Sequence, residues 1–316
     1  MQLYGSFHRN RSKIRSMDTT KPILTLKQAL ASAEKAGCAL GSFAPRYTPM
    51  IAPILTAGQR THSPLIVQIS QRELERYGIT PGEFAGEFYR QVDEQQITIP
   101  VVLHLDHTKV FRVIEEAIAA GFTSVMIDAS EKPFAENVAI TREVVEYAHA
   151  HGVSVEAELG MIGTTDFIET EKDEELYTDP DEAQRFVEET GVDALAISVG
   201  TAHGVYLVRQ PRIDYERLKA IRARTPVHLV LHGGSGVPAD MMRQAIRLGV
   251  SKVNIATDLE VALLEALGRQ ERMSNAECKN LPASDLARGR SAVEATVADK
   301  ITNFLGSRGR AAEFLS

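Results

Sequence analysis

The chain has 316 residues, of which 44% are hydrophobic and 24% are charged, a balance that is ordinary for a globular protein. Its formal net charge of -7, with no basic segment interleaved with aromatic residues, argues against nucleic acid as a partner. No uncharged apolar run approaches the ~18 residues that a membrane span requires, so no membrane partner is expected. Cys38 and Cys278 form neither a metal motif nor a disulfide framework, which indicates a reducing compartment and predicts a cytoplasmic protein.

The first 22 residues differ in composition from the rest. They carry Arg9, Arg11, Lys13 and Arg15 among serine and asparagine, without the apolar segment of a secretory signal. Such an Arg-rich, acid-poor start is similar to an organelle transit peptide. The interpretation we favour is a disordered extension, or a start codon placed upstream of Met17. We therefore predict disorder for residues 1–22 and one domain over residues 23–316.

From residue 22 onward a unit repeats, made of a short apolar strand, a loop and a longer amphipathic helix. The segments predicted as strands are residues 38–43, 64–70, 101–104, 124–128, 153–159, 194–199, 228–232 and 251–255. The segments with helical periodicity are residues 26–36, 48–62, 73–94 (interrupted by Gly78 and Pro81), 110–120, 135–151, 180–190, 214–224 and 238–248. From residue 258 the chain is helical and charged, with a polar connection over 271–290 before a final helix over 291–305.

Eight strand–helix units in about 240 residues are what a single (βα)₈ TIM barrel needs. We predict this α/β fold, with a C-terminal helical extension. A doubly wound sheet uses the same alternation and is the competing architecture. The polar residues favour the barrel, because the carboxyl ends of its strands converge on one mouth. The polar residues at or just after predicted strand ends are Asp106, Asp128, Glu158, His203, His232 and Asn254.

The third predicted strand ends in the most unusual stretch, His104-Leu105-Asp106-His107. A buried parallel strand has no reason to finish in such polar residues unless its tip faces a cleft. Adjacent side chains on an extended strand point to opposite sides. We therefore expect a turn at the strand end that brings Asp106 and His107 to one pocket.

Three histidines follow three different strands: His107, His203 and His232. Such scattered ligands are typical of catalytic metal sites, which keep a further position open for substrate. Spacing alone leaves a structural role for these histidines equally open. The roles of the acids also stay open at this point. Asp106 fits a proton donor or an orienting residue, Glu158 fits a ligand or an orienting residue, and Asp128 fits a ligand or a structural acceptor.

Glycine-rich turns follow the last two predicted strands. His232 is followed by Gly233-Gly234-Ser235-Gly236, and Asn254 by Ile255-Ala256-Thr257, each before a helix. Small residues let backbone N–H groups approach an anion, and a helix N-terminus favours negative charge. Because the loops after strands 7 and 8 of such barrels commonly bind phosphate, we predict a phosphate site here.

Seven segments carry a resemblance to one known family: HLDH at 104–107, SVMIDAS at 124–130, PFAENV at 133–138, VEAELG at 155–160, GTAHGVY at 200–206, LVLHGGSGVP at 229–238 and KVNIATDL at 252–259. Together, and in the right order from about residue 23 to 305, they resemble the class II, metal-dependent ketose-bisphosphate aldolases. The tagatose-bisphosphate branch is slightly more similar than the large fructose-bisphosphate branch, notably in GTAHG and NIAT.

The resemblance implies a zinc-dependent homodimer or homotetramer that reversibly cleaves a phosphorylated ketose to dihydroxyacetone phosphate and an aldehyde, through a zinc-stabilised enediolate. Another divalent metal, or an additional monovalent cation, is compatible with it. Asp106 would be the acid/base on the C4 hydroxyl. The implied metal residues are His107, His203 and His232, with Glu158 and Asp128 at an alternative or outer position. The implied substrate and phosphate residues are Ser70, Gly204, Gly233, Ser235, Asn254 and Thr257. Asn254 is also an implied catalytic residue, near the reacting oxygens.

The chain departs from the family pattern at three places. Ala44-Pro45-Arg46 follows Phe43 where the family usually has asparagine. Asp166 stands where the mobile loop normally supplies a catalytic glutamate, and Leu207 where one branch has lysine. We therefore expect a changed aldehyde specificity. We expect Asp166 to handle the C3 proton, and the alternative is that another residue of this segment, such as Glu169 or Glu171, does so.

Three other functions remain as alternatives. The first is a non-catalytic barrel that binds sugar phosphates, and the second is a metal-dependent isomerase or epimerase. The third is a class I aldolase, which would need a Schiff-base lysine such as Lys252. The three histidines argue against this last route.

Overall fold

The computed structural model describes residues 22–163, 176–204, 206 and 210–315. Short apolar segments form eight parallel strands that close into a barrel in the order of the sequence. Closure is direct, because Leu40–Phe43 pairs with residues 252–255. The predicted TIM barrel is confirmed, and a doubly wound sheet is excluded because such a sheet has two free edges. The strands are β1 Leu40–Phe43, β2 Leu65–Ser70, β3 Val101–Thr108, β4 Ser124–Ile127, β5 Ser154–Leu159, β6 Ala194–Ile197, β7 His228–Leu231 and β8 Val250–Ile255.

Helices surround the barrel, and further helices follow the last strand as the predicted C-terminal helical extension. Gly121 and Gly191 end two of them with φ of 98° and 70°, a left-handed conformation that favours glycine. Among the described residues, no helix is both long and apolar enough to cross a bilayer. The helices are α1 Leu26–Ala36, α2 Ile51–Thr61, α3 Gln71–Tyr77, α4 Pro81–Glu94, α5 Phe111–Ala120, α6 Phe134–Ala150, α7 Pro180–Thr190, α8 Tyr215–Arg224, α9 Ala239–Arg247, α10 Thr257–Leu267, α11 Asn275–Lys279 and α12 Ala283–Asp299.

Two predicted boundaries are wrong. Strand β3 continues to Thr108 rather than ending at His104, because residues after His104 still pair with β4. The predicted polar connection over 271–290 holds α11 and the start of α12. Ser274 and Glu277 form a reciprocal capping box that begins α11, and Pro282 precedes α12. The polar composition of these two helices favoured a loop in the prediction, although each helix has a local start signal.

Helix α1 closes the bottom of the barrel. It begins with a capping box between Thr25 and Gln28, and its Leu26 and Leu30 are fully buried. These leucines belong to an apolar cluster with inward-facing barrel residues such as Ile66 and Val102. The bottom of the barrel is therefore an apolar plug, and the site can lie only toward the opposite end, where the strands finish.

Side chains alternate between the interior and the exterior of each strand, so positions two residues apart share the interior. In the upper half of the barrel these interior positions are polar instead of apolar. The buried polar residues there are Ser42, Gln68, His104, Asp106, Glu156, Glu158, Lys252 and Asn254. The fold therefore buries an unusual concentration of polar groups directly below its mouth.

Candidate metal centre and active site

A bulge in β3 aims two adjacent side chains into one cavity. The pairing of β3 with β4 shifts between Leu105 and Thr108, and His107 has a φ of 28°. An extra residue in one strand of a pair re-aims the side chains around it. Asp106 and His107 consequently both line a cavity of about 370 Å³. The expected convergence is correct, but a bulge within the strand produces it rather than a turn after the strand.

The three predicted histidines converge at the barrel mouth. One nitrogen from each of His107, His203 and His232 lies within 4.8 Å of the others. Their ring centroids are 4.5 to 5.8 Å apart. The closest approach is 2.8 Å, between His107 Nε2 and His232 Nδ1. At this distance one of the two nitrogens carries a proton and donates it to the other, and a bound metal would take the place of that proton.

Carboxylates fix the orientation of two of these rings. His107 Nδ1 donates to Asp128 Oδ2 at 2.8 Å, and His232 Nε2 donates to Glu156 Oε1 at 2.9 Å. A carboxylate that accepts from one ring nitrogen leaves the other nitrogen free to bind a metal. His107 thus presents Nε2 and His232 presents Nδ1, which are the two nitrogens that face each other. This contact favours an orienting role for Asp128, which also belongs to a second possible ligand group with His107 and Glu158.

The residues present fit a divalent metal. Glu158 Oε2 is buried without a hydrogen-bond partner among the described residues, and it lies 3.9 Å from His107 Nδ1 and 3.7 Å from His232 Nδ1. Burial, followed by repulsion from Asp128, raises the pKa of Glu158 to about 8. An orphaned buried carboxylate oxygen beside three imidazoles is a donor set that suits zinc and other divalent metals.

The neighbouring charges give the histidines of this site different pKa values. Burial alone would lower the pKa of His107, but Asp106, the hydrogen bond to Asp128 and the charge of Glu158 together raise it to about 10. Burial and the nearby His107 lower the pKa of His203 to about 4. The site without metal therefore keeps one positive charge on His107, at the place where the acids favour a cation.

Asp106 is held by two amides. Gln68 Nε2 donates to Asp106 Oδ2 at 3.1 Å, and Asn254 Nδ2 donates to Oδ1 at 3.0 Å. Ser42 in turn donates to Gln68 Oε1. Burial raises the pKa of Asp106, but the charges of His107 and Lys252 outweigh it and lower the pKa below its usual value. Asp106 is thus an ionised, oriented carboxylate at the wall of the cavity.

The predicted phosphate residues also line this cavity. Gly204, Gly233, Ser235, Asn254 and Thr257 meet there, together with Ser70. Gly233 has a φ of 66°, and a Cβ atom there would come within 2.4 Å of the Ala202 carbonyl oxygen. Only glycine fits this turn, and its backbone is open to the cavity. The Ser70 hydroxyl, by contrast, accepts from Glu73 N–H and caps α3.

Arginines line the wall of the cavity nearest β1 and β2. Arg46, with a left-handed φ of 62°, lies 2.5 Å from Glu73 and 3.3 Å from Glu260. Arg272 binds Glu260 through two nitrogens, at 2.7 and 3.0 Å. Arg72 and Arg76 also line the cavity, and neither makes an ion pair within the described residues. This wall of the cavity is therefore locally positive, although the formal net charge of the chain is -7.

Lys252 is placed away from this cavity. Its side chain is fully buried, and its Nζ lies 2.8 Å from Glu156 Oε2. Its absence from the cavity lining argues against a Schiff base with substrate. Asp166 and Leu207, the remaining departures from the family pattern, lie outside the described residues, as does the extension over residues 1–21.

Sequence reasoning missed several residues of the site. Glu156, Gln68 and His104 received no role, although each lies two residues before a predicted site residue on the same strand and so shares its inward face. Arg46 was noted only as a departure. Its carboxylate partners, Glu73 on α3 and Glu260 on α10, are brought to it by two separate helices, which a strand pattern does not reveal.

The closed parallel barrel brings three histidines, an ionised aspartate and glycine turns together at its strand ends. This arrangement is typical of metal-assisted (βα)₈ enzymes. Comparison with family models identifies one family within that class. The model of fructose-bisphosphate aldolase class-II matches residues 24–310, so this chain belongs to that family, which is metal-dependent. The family resemblance seen in the sequence is confirmed, and the chain is a class II aldolase, a lyase.

Individual relatives agree with this assignment. The fructose-bisphosphate aldolase of Geobacillus stearothermophilus is 38% identical over 298 residues, covering 92% of this chain and 99% of that protein. That of Staphylococcus epidermidis is 39% identical over 297 residues, with the same coverage. Among solved structures, the YdjI aldolase from Escherichia coli K12 has a TM-score of 0.75 at 30% identity, covering 92% of this chain and 99% of that one.

Proposed function

We propose that this protein reversibly cleaves a ketose bisphosphate to dihydroxyacetone phosphate and an aldehyde, at a zinc site formed by His107, His203 and His232. The observation that carries the proposal is the convergence of these three histidines, within 4.8 Å, beside Asp106 in one cavity. Zinc bound there would supply a Lewis acid for the substrate ketone and for the enediolate left when the C3–C4 bond breaks. Three imidazoles with an open position are a zinc arrangement typical of catalysis.

Asp106 is the proposed acid/base on the C4 hydroxyl. Its lowered pKa keeps it ionised at neutral pH, so in cleavage it accepts the hydroxyl proton as the C3–C4 bond breaks, and it returns that proton in condensation. The amides of Gln68 and Asn254 orient both of its oxygens. Glu158 is the proposed alternative metal ligand, while Asp128 orients His107.

The C1 phosphate is assigned to the glycine turns. Gly204 and Gly233 expose backbone at positive φ, and Thr257 begins α10, whose N-terminus favours an anion. Ser235 supports this cradle, because its hydroxyl accepts from Asp258 N–H at 3.2 Å. A phosphate here fixes the dihydroxyacetone phosphate half of the ketose and leaves the other half to extend toward the arginines.

The arginine wall supports an aldehyde half that carries an anionic group. Arg72 and Arg76 supply two positive charges that have no ion-pair partner among the described residues, and Arg46 and Arg272 line the same cavity. Fructose and tagatose bisphosphates both yield glyceraldehyde 3-phosphate, which fits this requirement. Asp166 is the proposed residue for the C3 proton, and a homodimer or homotetramer is the proposed assembly.

Condensation in the reverse direction tests the proposal. The zinc-loaded protein is incubated with dihydroxyacetone phosphate and a panel of aldehydes, and products are separated by chromatography and identified by mass. We expect a longer ketose, formed faster from glyceraldehyde 3-phosphate than from glyceraldehyde. Isomerisation of dihydroxyacetone phosphate without any longer ketose would contradict aldol chemistry. A preference for glyceraldehyde over glyceraldehyde 3-phosphate would contradict only the role of the arginines and would leave the aldol reaction unaffected.

A further inference from the structure

Lys252 is a fully buried lysine for which the proposed reaction has no use. Its Nζ lies 2.8 Å from Glu156 Oε2 and 3.4 Å from His104 Nε2, and all three side chains have 0% exposed area. None of the three lines the cavity. Charged groups this deep lose their hydration, and well-packed apolar residues would fill the same volume without that loss. The retained charges therefore point to a role beyond packing.

The contacts of Glu156 show where that role lies. One carboxylate oxygen, Oε2, accepts from Lys252, and the other, Oε1, accepts from His232 Nε2 at 2.9 Å. Because a carboxylate only accepts, the proton of the His232 ring stays on Nε2 and the lone pair of Nδ1 faces His107. His104 is neutral in this cluster, because burial and then the charge of Lys252 lower its pKa well below the usual value.

We propose that Lys252 is a positioning residue for the metal centre. It anchors Glu156 across the barrel, from β8 to β5, so that Glu156 holds the β7 residue His232 with Nδ1 presented to the metal. The inference rests on the proposed metal site. It also explains a second feature. His104, Asp106 and Glu156 form a buried group with metal-like ligand spacing, and the Lys252 ammonium already supplies the positive charge at that place.

Three variants separate this role from packing. Lys252→Met removes the charge with little change of volume, and Glu156→Gln keeps the shape of the side chain. The double variant removes both buried charges together, so neither is left unpaired if the single Lys252→Met chain fails to fold. The matched control is Asp193→Asn. Asp193 is a buried carboxylate outside the site that accepts from Val155 N–H at 2.9 Å and contacts His149 at 2.7 Å.

The measurements are the zinc dissociation constant by chelator competition, the visible spectrum of the cobalt-substituted protein and the melting temperature of the metal-free protein. We expect roughly 10–100-fold weaker zinc binding for Lys252→Met, for Glu156→Gln and for the double variant, which is the usual effect of losing a group that orients a ligand. Their cobalt bands shift from those of the wild type. Asp193→Asn melts earlier but binds zinc with wild-type affinity and gives the wild-type cobalt spectrum.

A double variant that binds zinc as tightly as the wild type, with an unchanged cobalt spectrum, would overturn the positioning role, even if its melting temperature falls. Loss of zinc affinity of equal size in Asp193→Asn would overturn it as well, because the effect would then follow from destabilisation. Failure of the proposed function gives a different result: in that case the wild-type protein itself binds no zinc.

Discussion

The variant Asp106→Asn directly tests the proposed proton transfer. Asparagine keeps the size of Asp106 but loses its charge and its basicity. It also turns one oxygen into an NH₂ group that meets the NH₂ of Gln68 or Asn254, which now donate to that carboxylate at 3.1 and 3.0 Å. A positioned acid/base is worth ~10²–10⁴ in rate. Cleavage should fall by that factor, a barrier increase of about 2.7–5.4 kcal/mol at 1.36 kcal/mol per tenfold.

The assay compares three quantities in the wild type, Asp106→Asn and the control Asp193→Asn. These are kcat for cleavage of fructose and tagatose 1,6-bisphosphates, the zinc content, and proton exchange at C3 of dihydroxyacetone phosphate without aldehyde. We expect Asp106→Asn to lose cleavage while it keeps zinc and most of the exchange rate, because exchange does not involve the C4 hydroxyl. If zinc is lost with the activity, Asp106 orients the site and another group transfers the proton.

Three further predictions follow from the same geometry. His107→Ala, His203→Ala and His232→Ala should each abolish turnover and strip zinc from a folded barrel, since two ligands rarely hold zinc at a catalytic site; stoichiometric zinc with full activity removes that residue from the site. Asp166→Asn should slow C3 proton exchange of dihydroxyacetone phosphate by about a hundredfold or more with zinc affinity unchanged, and an unchanged exchange rate rules Asp166 out. Burial raises the pKa of Cys38 and of Cys278 to about 11. As pH rises, the thiols ionise in the unfolded chain before they ionise in the folded protein, so the free energy of unfolding should fall from the unfolded thiol pKa up to about pH 11. Denaturant midpoints that stay constant from pH 8 to 11 would contradict this.

The barrel was predictable because its signals are local and repeated. Each strand is a short apolar run followed by an amphipathic helix, and glycines such as Gly121 end the helices where expected. The extension of β3 to Thr108 was not predictable, because it depends on the bulge at His107. A single residue at positive φ leaves no mark on an apolar pattern. The start of α11 was in principle accessible, since the capping pair Ser274 and Glu277 is a local signal.

The candidate site also has a part that was predictable from the sequence and a part that was not. His107, His203 and His232 were predictable because each ends or follows a strand, and the fold alone brings strand ends together. The partners that orient them were harder to foresee. Glu156 and Lys252 meet inside the barrel although 96 residues separate them, and nothing local in the sequence indicates that contact. The pairing of Arg46 with Glu73 and Glu260 depends equally on tertiary structure.

In the proposed function, C–C cleavage depends on a metal at the three histidines. The most direct test follows cleavage of fructose and tagatose 1,6-bisphosphates by the protein as purified, after removal of metal by a chelator, and after addition of zinc. We predict loss of cleavage on chelation and recovery at one zinc per chain, with no recovery in His203→Ala. Cleavage that persists in the metal-free protein, together with covalent trapping of substrate on Lys252 by borohydride, would contradict a metal-dependent reaction.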